Sequence, residues 1–508
     1  MGGEVRGKSD AVAYSQPKIG TTHSGSVYTS FAMVPFLSRF LERLSQEMEN
    51  PKRLALMVLG VFVFFCLVSG GVRIAAIRTA LRVIGHPPQQ DAYGYTNLLL
   101  LGVGDKEHDG ADLTDTMMLA SIDPFSTHGV VFLSIPRDLY IADAAKPRVP
   151  SRINAVYSNE KYRLMRREGL DEKEASEQAM ATVEQEIERI LGLPIHGVVK
   201  VDFSALTGMV DALGGVDVWV PERLYDSTYP VREGRVGLFT LDAGQQHLDG
   251  ETALKYARSR HTTSDFDRSS RQQQILSALV SKMRGLSLPA KVWMIPKLYS
   301  NVHAHVETTL SLGELFGLTQ VAMELSSRRF VRMQINYDTG SDGSDAAAGG
   351  FVYAPPSESY GGASVLLPTP LKSGTADWRQ LQMFVRLLVY HRTFYLSHPR
   401  VLIVNIAATN SAAHRLRNEL LRYGFTVEKT VRPPKEEAAS FEDSFVSYKS
   451  GLDAEAARFF GTLLHLPVAR EKDPGISGTG SGDIVLLLGK DYSFKPFASL
   501  SGALLPTR

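Results

Sequence analysis

The stretch YARSRHTTSDFDRSSRQQQ, residues 256–274, concentrates fixed positive charge in few positions. Its arginines are Arg258, Arg260, Arg268 and Arg271. Arginine stays charged, and its planar guanidinium binds two phosphate oxygens at once. A cluster of guanidinium groups therefore suits a multivalent anion such as a pyrophosphate. The alternative is a network of ion pairs between these arginines and neighbouring aspartates.

The second half of this stretch is predicted to open a helix from about Asp267 that faces a core. The apolar stripe of that helix consists of Ile275, Leu276, Leu279 and Met283. Arg268, Arg271 and Gln272 continue the same stripe one turn earlier, so their side chains are predicted to point inward and not into solvent.

Two arginines precede that helix. The sequence LDGETALKYARSR indicates a turn at Asp249–Gly250, a short helix and then an extended segment. If residues 257–261 are extended, Arg258 and Arg260 point to the same face, because side chains alternate along a strand. The arrangement favours a pocket lined by guanidinium groups.

An acidic loop, GVGDKEHDGADLTDTMM, lies between the first two predicted strands. Its aspartates are Asp105, Asp109, Asp112 and Asp115. Carboxylates this close repel one another unless a cation or an arginine lies among them, and hard oxygen ligands suit Mg²⁺. A solvated turn is the alternative, and it is preferred for Asp109, which precedes a glycine. Asp115, directly before a predicted buried strand, favours a binding role.

The sequence predicts an α/β domain whose sheet presents these residues at one edge. Apolar runs at 96–103, 116–122 and 129–136 are typical of buried strands. The sequence over 173–193 predicts a helix. The motif SIPRD ends the third strand with Arg137 and Asp138, at the edge where open α/β sheets bind ligands. Beyond residue 398, alternating strands and a helix predict a second, small α/β domain.

The composition narrows the class of protein. The chain has 508 residues and one cysteine, Cys66, so it cannot form an intrachain disulfide. Its net charge of +1 argues against broad nucleic-acid contact. Residues 54–72 form an uncharged apolar run of 19 residues, long enough to cross the roughly 30 Å hydrocarbon layer. We predict a single-pass anchor with a cytoplasmic N-terminus and the bulk of the chain outside the membrane.

Three motifs, LTDTMMLASID, LSIPRDLY and ALKYARSRHTTSDFDRSSRQQQ, resemble the LytR-CpsA-Psr family of membrane-anchored cell-wall enzymes. The resemblance implies a fold with a mixed central sheet flanked by helices, and residues 400–491 resemble the C-terminal domain appended to that family. We expect a cytoplasmic disordered tail with a short amphipathic helix over 1–50, a transmembrane helix over 52–74, a linker over 75–95, the catalytic domain over 96–388, the C-terminal domain over 398–494 and a tail over 495–508.

The resemblance also implies a reaction, in which a glycopolymer moves from an undecaprenyl-pyrophosphate carrier to peptidoglycan through a phosphodiester bond, assisted by Mg²⁺. The implied catalytic residues are Arg137, Arg258 and Arg260. Asp138 is a candidate base for the incoming hydroxyl, with Asp267 as the alternative, and either aspartate could instead orient Arg137 or Arg268. The implied pyrophosphate-binding residues are Arg137, Arg258, Arg260, Arg268 and Gln272, and the helical spacing adds Arg271. Asp105 and Asp115 are the implied metal ligands. The family usually carries its first metal aspartate one residue earlier, where this chain has Gly104, so either Asp105 takes that role or the metal is held differently, with Asp112 as a candidate.

Other functions remain open at this point. Attack by water in the same anion site would make the protein a polyprenyl-pyrophosphate phosphatase. The shift at Gly104 gives weight to a non-catalytic protein that binds or regulates a wall polymer, whereas the filled arginine positions weigh against it. A transcriptional regulator is disfavoured by the predicted anchor and the neutral charge. The expected partners are a polyprenyl-pyrophosphate-linked glycan, peptidoglycan and the membrane, with no nucleic acid.

Overall fold

A computed structural model gives the structure of the protein over most of its C-terminal four fifths. The described residues are 88–105, 111–123, 129–141, 151–232, 235–259, 265–286, 303–311, 313–315, 317–318, 330–338, 349–369, 377–438, 441–448, 453–470 and 483–499. All of them belong to one compact unit, Leu81–Arg508. Within these ranges no helix combines the length and the apolar character that crossing a bilayer requires. The predicted tail over 1–50 and the predicted transmembrane helix over 52–74 lie outside the described residues.

A mixed six-stranded sheet forms the centre of the first segment, with the strand order β11-β6-β1-β2-β3-β12. Its strands are β1 (Thr96–Gly102), β2 (Thr116–Ile122), β3 (Val130–Ile135), β6 (Gly197–Val201), β11 (Val306–Thr308) and β12 (Phe330–Gln334). Strand β1 pairs antiparallel with β2 and parallel with β6, which confirms the predicted mixed sheet. Because β1 to β3 are covered on both faces, they read as continuous apolar runs, and this is why the sequence located them.

The two faces of this sheet bury different side chains. Leu99 and Leu101 of β1 pack into one core, and Leu98 and Leu100 pack on the opposite face, as the alternation along a strand requires. The first face is covered by helices α1 (Val156–Arg163), α2 (Glu172–Leu191) and α6 (Arg379–Tyr390). Helix α2 begins one residue before the predicted range 173–193 and ends two residues before its end. Asp171 caps its N-terminus by accepting from Glu174 N at 2.8 Å, and Gly192 ends it in the left-handed region, at φ +67°.

The second face is covered by three helices and two small sheets, which hold a separate core. The helices are α3 (Phe203–Ala212), α4 (Gly250–Arg258) and α5 (Asp265–Gly285). The small sheets pair β7 (Val216–Val220) with β10 (Gly244–Leu248), and β8 (Leu224–Arg232) with β9 (Arg235–Leu241). Shorter pairings join β4 (Tyr140–Ile141) to β5 (Ser151–Arg152), and β13 (Tyr337–Asp338) to β14 (Val352–Tyr353) and β15 (Leu367–Pro368).

The C-terminal segment is a five-stranded sheet in the order β17-β16-β20-β18-β19. Its strands are β16 (Arg400–Asn405), β17 (Thr426–Val431), β18 (Phe445–Tyr448), β19 (Val468–Arg470) and β20 (Ile484–Leu488). Its helices are α8 (Asn410–Arg422), α9 (Lys435–Ala438) and α10 (Ala454–Leu464), and α7 (Arg392–Ser397) precedes it. The parallel pairing of β16 with β17 around α8 confirms the predicted βαβ unit.

One hydrophobic core runs through both segments. Phe394 of α7 stacks on Phe459 of α10, with the ring centroids 4.3 Å apart. The Tyr423 hydroxyl, at the end of α8, donates to the backbone carbonyl of Gln380 in α6 at 3.2 Å. Buried contacts of aromatic side chains therefore hold the two segments together.

His196 makes the stability of this fold depend on pH. Its Nδ1 accepts a hydrogen bond from Asn97 N at 2.9 Å, and burial lowers the pKa of its ring from 6.5. The unfolded chain therefore binds a proton at His196 more readily, so the free energy of unfolding falls as pH drops below about 6.5. We expect His196→Asn, which retains an acceptor, to lose less stability between pH 7 and 5 than the parent chain in urea titrations. Equal losses in the two chains would contradict this assignment.

Candidate active site

A cavity of about 790 Å³ lies between the central sheet and helices α3 to α5. Its walls are largely apolar, and they include Leu100, Met118, Val199, Leu206, Met209, Ile275 and Leu276. Its polar side chains are Asp115, Thr116, Arg137, Asp202, Asp226, Thr228, Arg258, Arg268 and Gln272. Three of them flank strand ends: Asp115 precedes β2, Arg137 follows β3 and Asp202 follows β6. Because β2 runs antiparallel to β3, these three lie at the same edge of the sheet, as the sequence predicts for Arg137.

Arg137 and Asp115 form an ion pair at this edge. Arg137 NH1 lies 2.8 Å from Asp115 Oδ1, and Asn154 Nδ2 donates to the same oxygen at 3.1 Å. The Nε of Arg137 is buried and has no hydrogen-bond partner in the described part of the chain. Asp138 Oδ2 lies 3.8 Å from this atom, so Nε faces the protein, and the terminal guanidinium nitrogens are the donors that Arg137 offers to an acceptor such as a phosphate oxygen.

Arg258 reaches the cavity from the last turn of α4. Its guanidinium lies 4.2 Å from the centroid of the Phe203 ring, a cation–π contact that fixes its position without neutralising it. The expectation that residues 257–261 are extended is wrong at its start, because helix α4 includes Ala257 and Arg258. Residues 251–258 contain neither proline nor glycine, so the helix continues through Arg258 and ends before Ser259. Arg260 lies outside the described residues.

Arg268 and Gln272 project into the cavity from successive turns of α5, as their spacing predicts. Arg268 is buried, with 8% of its surface exposed. Gln272 Nε2 donates to Thr116 Oγ1 at 2.9 Å, which joins α5 to the start of β2. The predicted inward face of this helix is therefore occupied by the predicted polar side chains.

Arg271 is placed differently from the sequence prediction. Its Nε donates to Tyr256 O at 3.0 Å and its NH2 donates to Ser259 O, and it does not line the cavity. The last carbonyls of a helix have no partner within the helix and attract cations, so the end of α4 takes this guanidinium. Burial lowers the pKa of Arg271. Its role in the structure is to fasten α4 to α5.

Three aspartates of the acidic loop belong to the described residues, and each has a different partner; Asp109 lies outside those residues. Asp105 Oδ1 accepts from Ser204 N at 3.0 Å, and its Oδ2 accepts from Ser204 Oγ at 3.2 Å, so Asp105 satisfies the first turn of α3. Asp112 pairs with Lys161 Nζ at 3.1 Å, and this uses the carboxylate that was the alternative metal ligand. Asp115 keeps Oδ2 without a hydrogen bond in the described ranges, and half of its side chain is exposed.

This donor set fits a magnesium ion only when a substrate completes it. Among the described residues no group of three metal-ligating side chains converges. Mg²⁺ commonly takes one or two carboxylates together with substrate phosphates and water. Asp115 offers an open oxygen at the cavity edge, and the Asp105 oxygens retain further lone pairs beside their bonds to Ser204.

Asp138 does not line the cavity. Its Oδ1 accepts from Arg152 NH1 at 3.2 Å, and its Oδ2 lies 3.8 Å from Arg137 Nε. The structure places Asp138 behind Arg137, where its charge holds the guanidinium, and not where an attacking hydroxyl would meet it.

Asp226, which no sequence pattern singled out, lies in the middle of β8 and is buried. It lines the cavity, where Oδ2 accepts from Ser259 Oγ at 2.7 Å and Oδ1 accepts from Thr228 N at 3.1 Å. The available signal was alternation, because Leu224 and Asp226 share the buried side of a hairpin. A register shift after Asp226 then brings Tyr229 to the same side.

Comparison with known proteins supplies independent information. Residues 78–360 match the LytR_cpsA_psr family, and residues 398–492 match the family described as LytR cell envelope-related transcriptional attenuator. The chain is similar to the polyisoprenyl-teichoic acid–peptidoglycan teichoic acid transferase TagV of Bacillus subtilis, with 33% identity over 250 residues, 48% of this chain and 57% of TagV. It is also similar to the cell wall biosynthesis protein LcpA of Corynebacterium glutamicum, with 30% identity over 237 residues, 42% of each chain.

The matched regions span less than two thirds of the length of these two relatives. Among solved structures, the crystal structure of B. subtilis TagV covers 58% of this chain and 98% of its own, with 24% sequence identity and a TM-score of 0.42.

Proposed function

The chain belongs to the LytR-CpsA-Psr family, whose model covers residues 78–360 of its 508 residues, and we propose that it transfers a glycopolymer from a polyprenyl-pyrophosphate carrier to peptidoglycan. The product bond is a phosphodiester, and the reaction releases polyprenyl phosphate. TagV, with which the chain shares 33% identity over the matched region, is named as a transferase of teichoic acid to peptidoglycan.

The observation that carries this proposal is a largely apolar cavity whose lining includes three arginines. The apolar walls suit a hydrocarbon chain, which gains roughly 25 cal/mol for each Å² removed from water. Arg137, Arg258 and Arg268 line the same cavity, and their guanidinium groups suit a pyrophosphate. A lipid pyrophosphate is the kind of molecule that requires both environments side by side.

In the proposed reaction, an acceptor hydroxyl oxygen attacks the phosphorus that bears the glycan. The new P–O bond forms as the bond to the bridging oxygen breaks, the electron pair stays on the departing polyprenyl phosphate, and the hydroxyl proton passes to that phosphate or to water. The guanidinium groups stabilise charge on the transferring phosphoryl oxygens and on the leaving group. Arg137 lines the cavity, and its terminal nitrogens are suited to donate one of these hydrogen bonds.

Asp115, with Asp105 nearby in sequence, would hold Mg²⁺ together with substrate phosphate oxygens. The ion would supply further charge neutralisation at the pyrophosphate. Asp138 is assigned to orienting Arg137, because its oxygens face Arg152 and Arg137. We further propose that residues 52–74 anchor the chain in the cytoplasmic membrane, with residues 96–494 outside it, where a lipid-linked glycan and peptidoglycan meet.

The test uses the purified full-length chain with a short-chain polyprenyl-pyrophosphate oligosaccharide, Mg²⁺ and soluble peptidoglycan fragments. Mass spectrometry is expected to detect a fragment that carries the sugar through a phosphodiester, and a chelator is expected to abolish it. Release of polyprenyl phosphate with an unmodified acceptor would identify a phosphatase instead. Tight donor binding without any product would identify a binding protein.

A further inference from the structure

A second cavity, of about 820 Å³, lies between β7, α5 and β12. Helix α5 separates it from the active-site cavity. Successive residues of an α-helix are rotated by about 100°, so Gln272, Ile275 and Leu276 face one cavity while Gln274 and Ser281 face the other. We call this second cavity the α5 groove. The aromatic, polar and charged residues of its lining include Asp217, Trp219, Gln274, Ser281, Lys282 and Arg332.

Trp219 gives the α5 groove an aromatic surface. The side chain projects from the outer side of β7 and is 62% exposed, although a tryptophan ring is among the largest apolar surfaces a protein can bury. The face of the ring carries partial negative charge, so it attracts the weakly positive C–H face of a pyranose ring. Gln274 and Ser281 line the same groove and supply hydrogen-bonding groups beside it.

The polar groups around Trp219 are partly preorganised. The Tyr256 hydroxyl donates to Gln274 Oε1 at 2.8 Å, which fixes the amide and leaves its nitrogen as a donor. The Asp217 carboxylate lies 2.7 Å from His247 Nδ1 and 3.7 Å from Lys282 Nζ. The hydrogen bond with His247, followed by the charge of Lys282, lowers the pKa of Asp217, so this carboxylate is an ionised acceptor.

The charge balance of the α5 groove favours an anionic ligand. Lys282 is matched by Asp217, whereas Arg332 has no carboxylate within 4.0 Å in the described part of the chain. Arg332 is exposed on β12, which is an edge strand of the central sheet. A saccharide that carries carboxylates matches both the aromatic surface and the positive charge of the groove, since its rings pack on Trp219 and its carboxylates pair with Arg332.

We propose that the α5 groove binds the acceptor, an anionic peptidoglycan glycan strand, in the reaction proposed above. The inference rests on that proposed function, because the donor's pyrophosphate and lipid are assigned to the opposite face of α5. Gln272 of the active-site cavity and Gln274 of the groove are two residues apart, a rise of about 3 Å, so one end of the groove lies level with Gln272 along α5. A strand that extends past this end of the helix presents its hydroxyls to the phosphoryl group.

The experiment measures binding of a fluorescently labelled peptidoglycan tetrasaccharide to the full-length chain by anisotropy, without donor. Trp219→Ala is expected to weaken binding at least about tenfold, the effect of removing a central aromatic anchor. Arg332→Gln is expected to weaken it severalfold and to reduce its dependence on salt. Leu238→Ala is the matched control, because Leu238 is 63% exposed and lies outside the groove.

Two results would overturn the inference. The first is unchanged tetrasaccharide affinity in Trp219→Ala and Arg332→Gln. The second appears in a parallel titration with the lipid-linked donor: weaker donor binding in Trp219→Ala, with acceptor binding intact, would assign the groove to the donor glycan. Because binding is measured without turnover, a parent chain that binds the tetrasaccharide but forms no phosphodiester would refute the proposed transfer and leave the groove assignment standing.

Discussion

Replacing Arg137 with alanine is expected to lower the transfer rate by about 10²–10³, the usual cost of removing one preorganised donor from a charged transition state. Arg137 is the arginine that combines an ion pair to Asp115 with a buried donor that has no partner within the described residues. Its loss removes a hydrogen bond to the phosphoryl group and also frees Asp115 to repel the substrate. The rate is measured by mass spectrometry of the phosphodiester product.

Two variants sharpen that measurement. Arg137→Lys keeps the charge but loses the planar fork, so its rate is expected to lie between those of the parent and the alanine variant. Arg189→Ala removes an arginine from α2, on the other side of the central sheet, where it pairs with Glu186, and it is expected to leave the rate unchanged. A rate for Arg137→Ala within threefold of the parent would remove Arg137 from the proposed mechanism.

The largest loss of stability is expected from Arg392→Met. Arg392 is 1% exposed, and its guanidinium donates to Val389 O, Ser121 O, Gly129 O and Ser121 Oγ at 2.8–3.0 Å. It also lies 4.4 Å from the centroid of the Tyr95 ring. Methionine fills a similar volume but leaves these carbonyl oxygens buried without donors, at a cost of about 3–5 kcal/mol.

Chemical denaturation of the full-length chain checks this expectation through the midpoint of the unfolding transition. Arg379→Met is the matched control, because Arg379 lies at the exposed start of α6 and pairs only with Asp377 in the described ranges. Its midpoint is expected to match that of the parent. A midpoint for Arg392→Met equal to that of the control would mean that the buried donors are replaced by water or by rearranged side chains.

The sequence predicted elements and site residues where a local pattern determined the outcome. Strands β1 to β3 are continuous apolar runs because both faces of the sheet are covered, and α2 begins and ends at its capping residues. Arg268 and Gln272 reach the cavity because a spacing of four residues on a helix fixes a common face. The position of Arg137 follows from the rule that ligands bind at the carboxyl ends of strands.

The remaining features depend on neighbours that no local pattern identifies. Arg271 shares the helical face predicted for it, but the carbonyls at the end of α4 lie closer to it than the cavity does. The groove beside Trp219 is formed by β7, α5 and β12, three elements far apart in the sequence. A single aspartate in a hairpin, Asp226, carries no motif, and only the packing of β8 against α4 and α5 shows that it lines the site.

The hydrophobic core that joins the two matched segments limits how this protein was assembled during evolution. Residues 78–360 and 398–492 match separate families, yet Phe351 of the first and Tyr423 of the second belong to one continuous core, with their ring centroids 5.2 Å apart. Exchange of the C-terminal segment with that of a distant relative would place an unmatched surface against Phe351. The two segments are therefore expected to have been inherited as a pair, with compensating substitutions across Phe351–Tyr423.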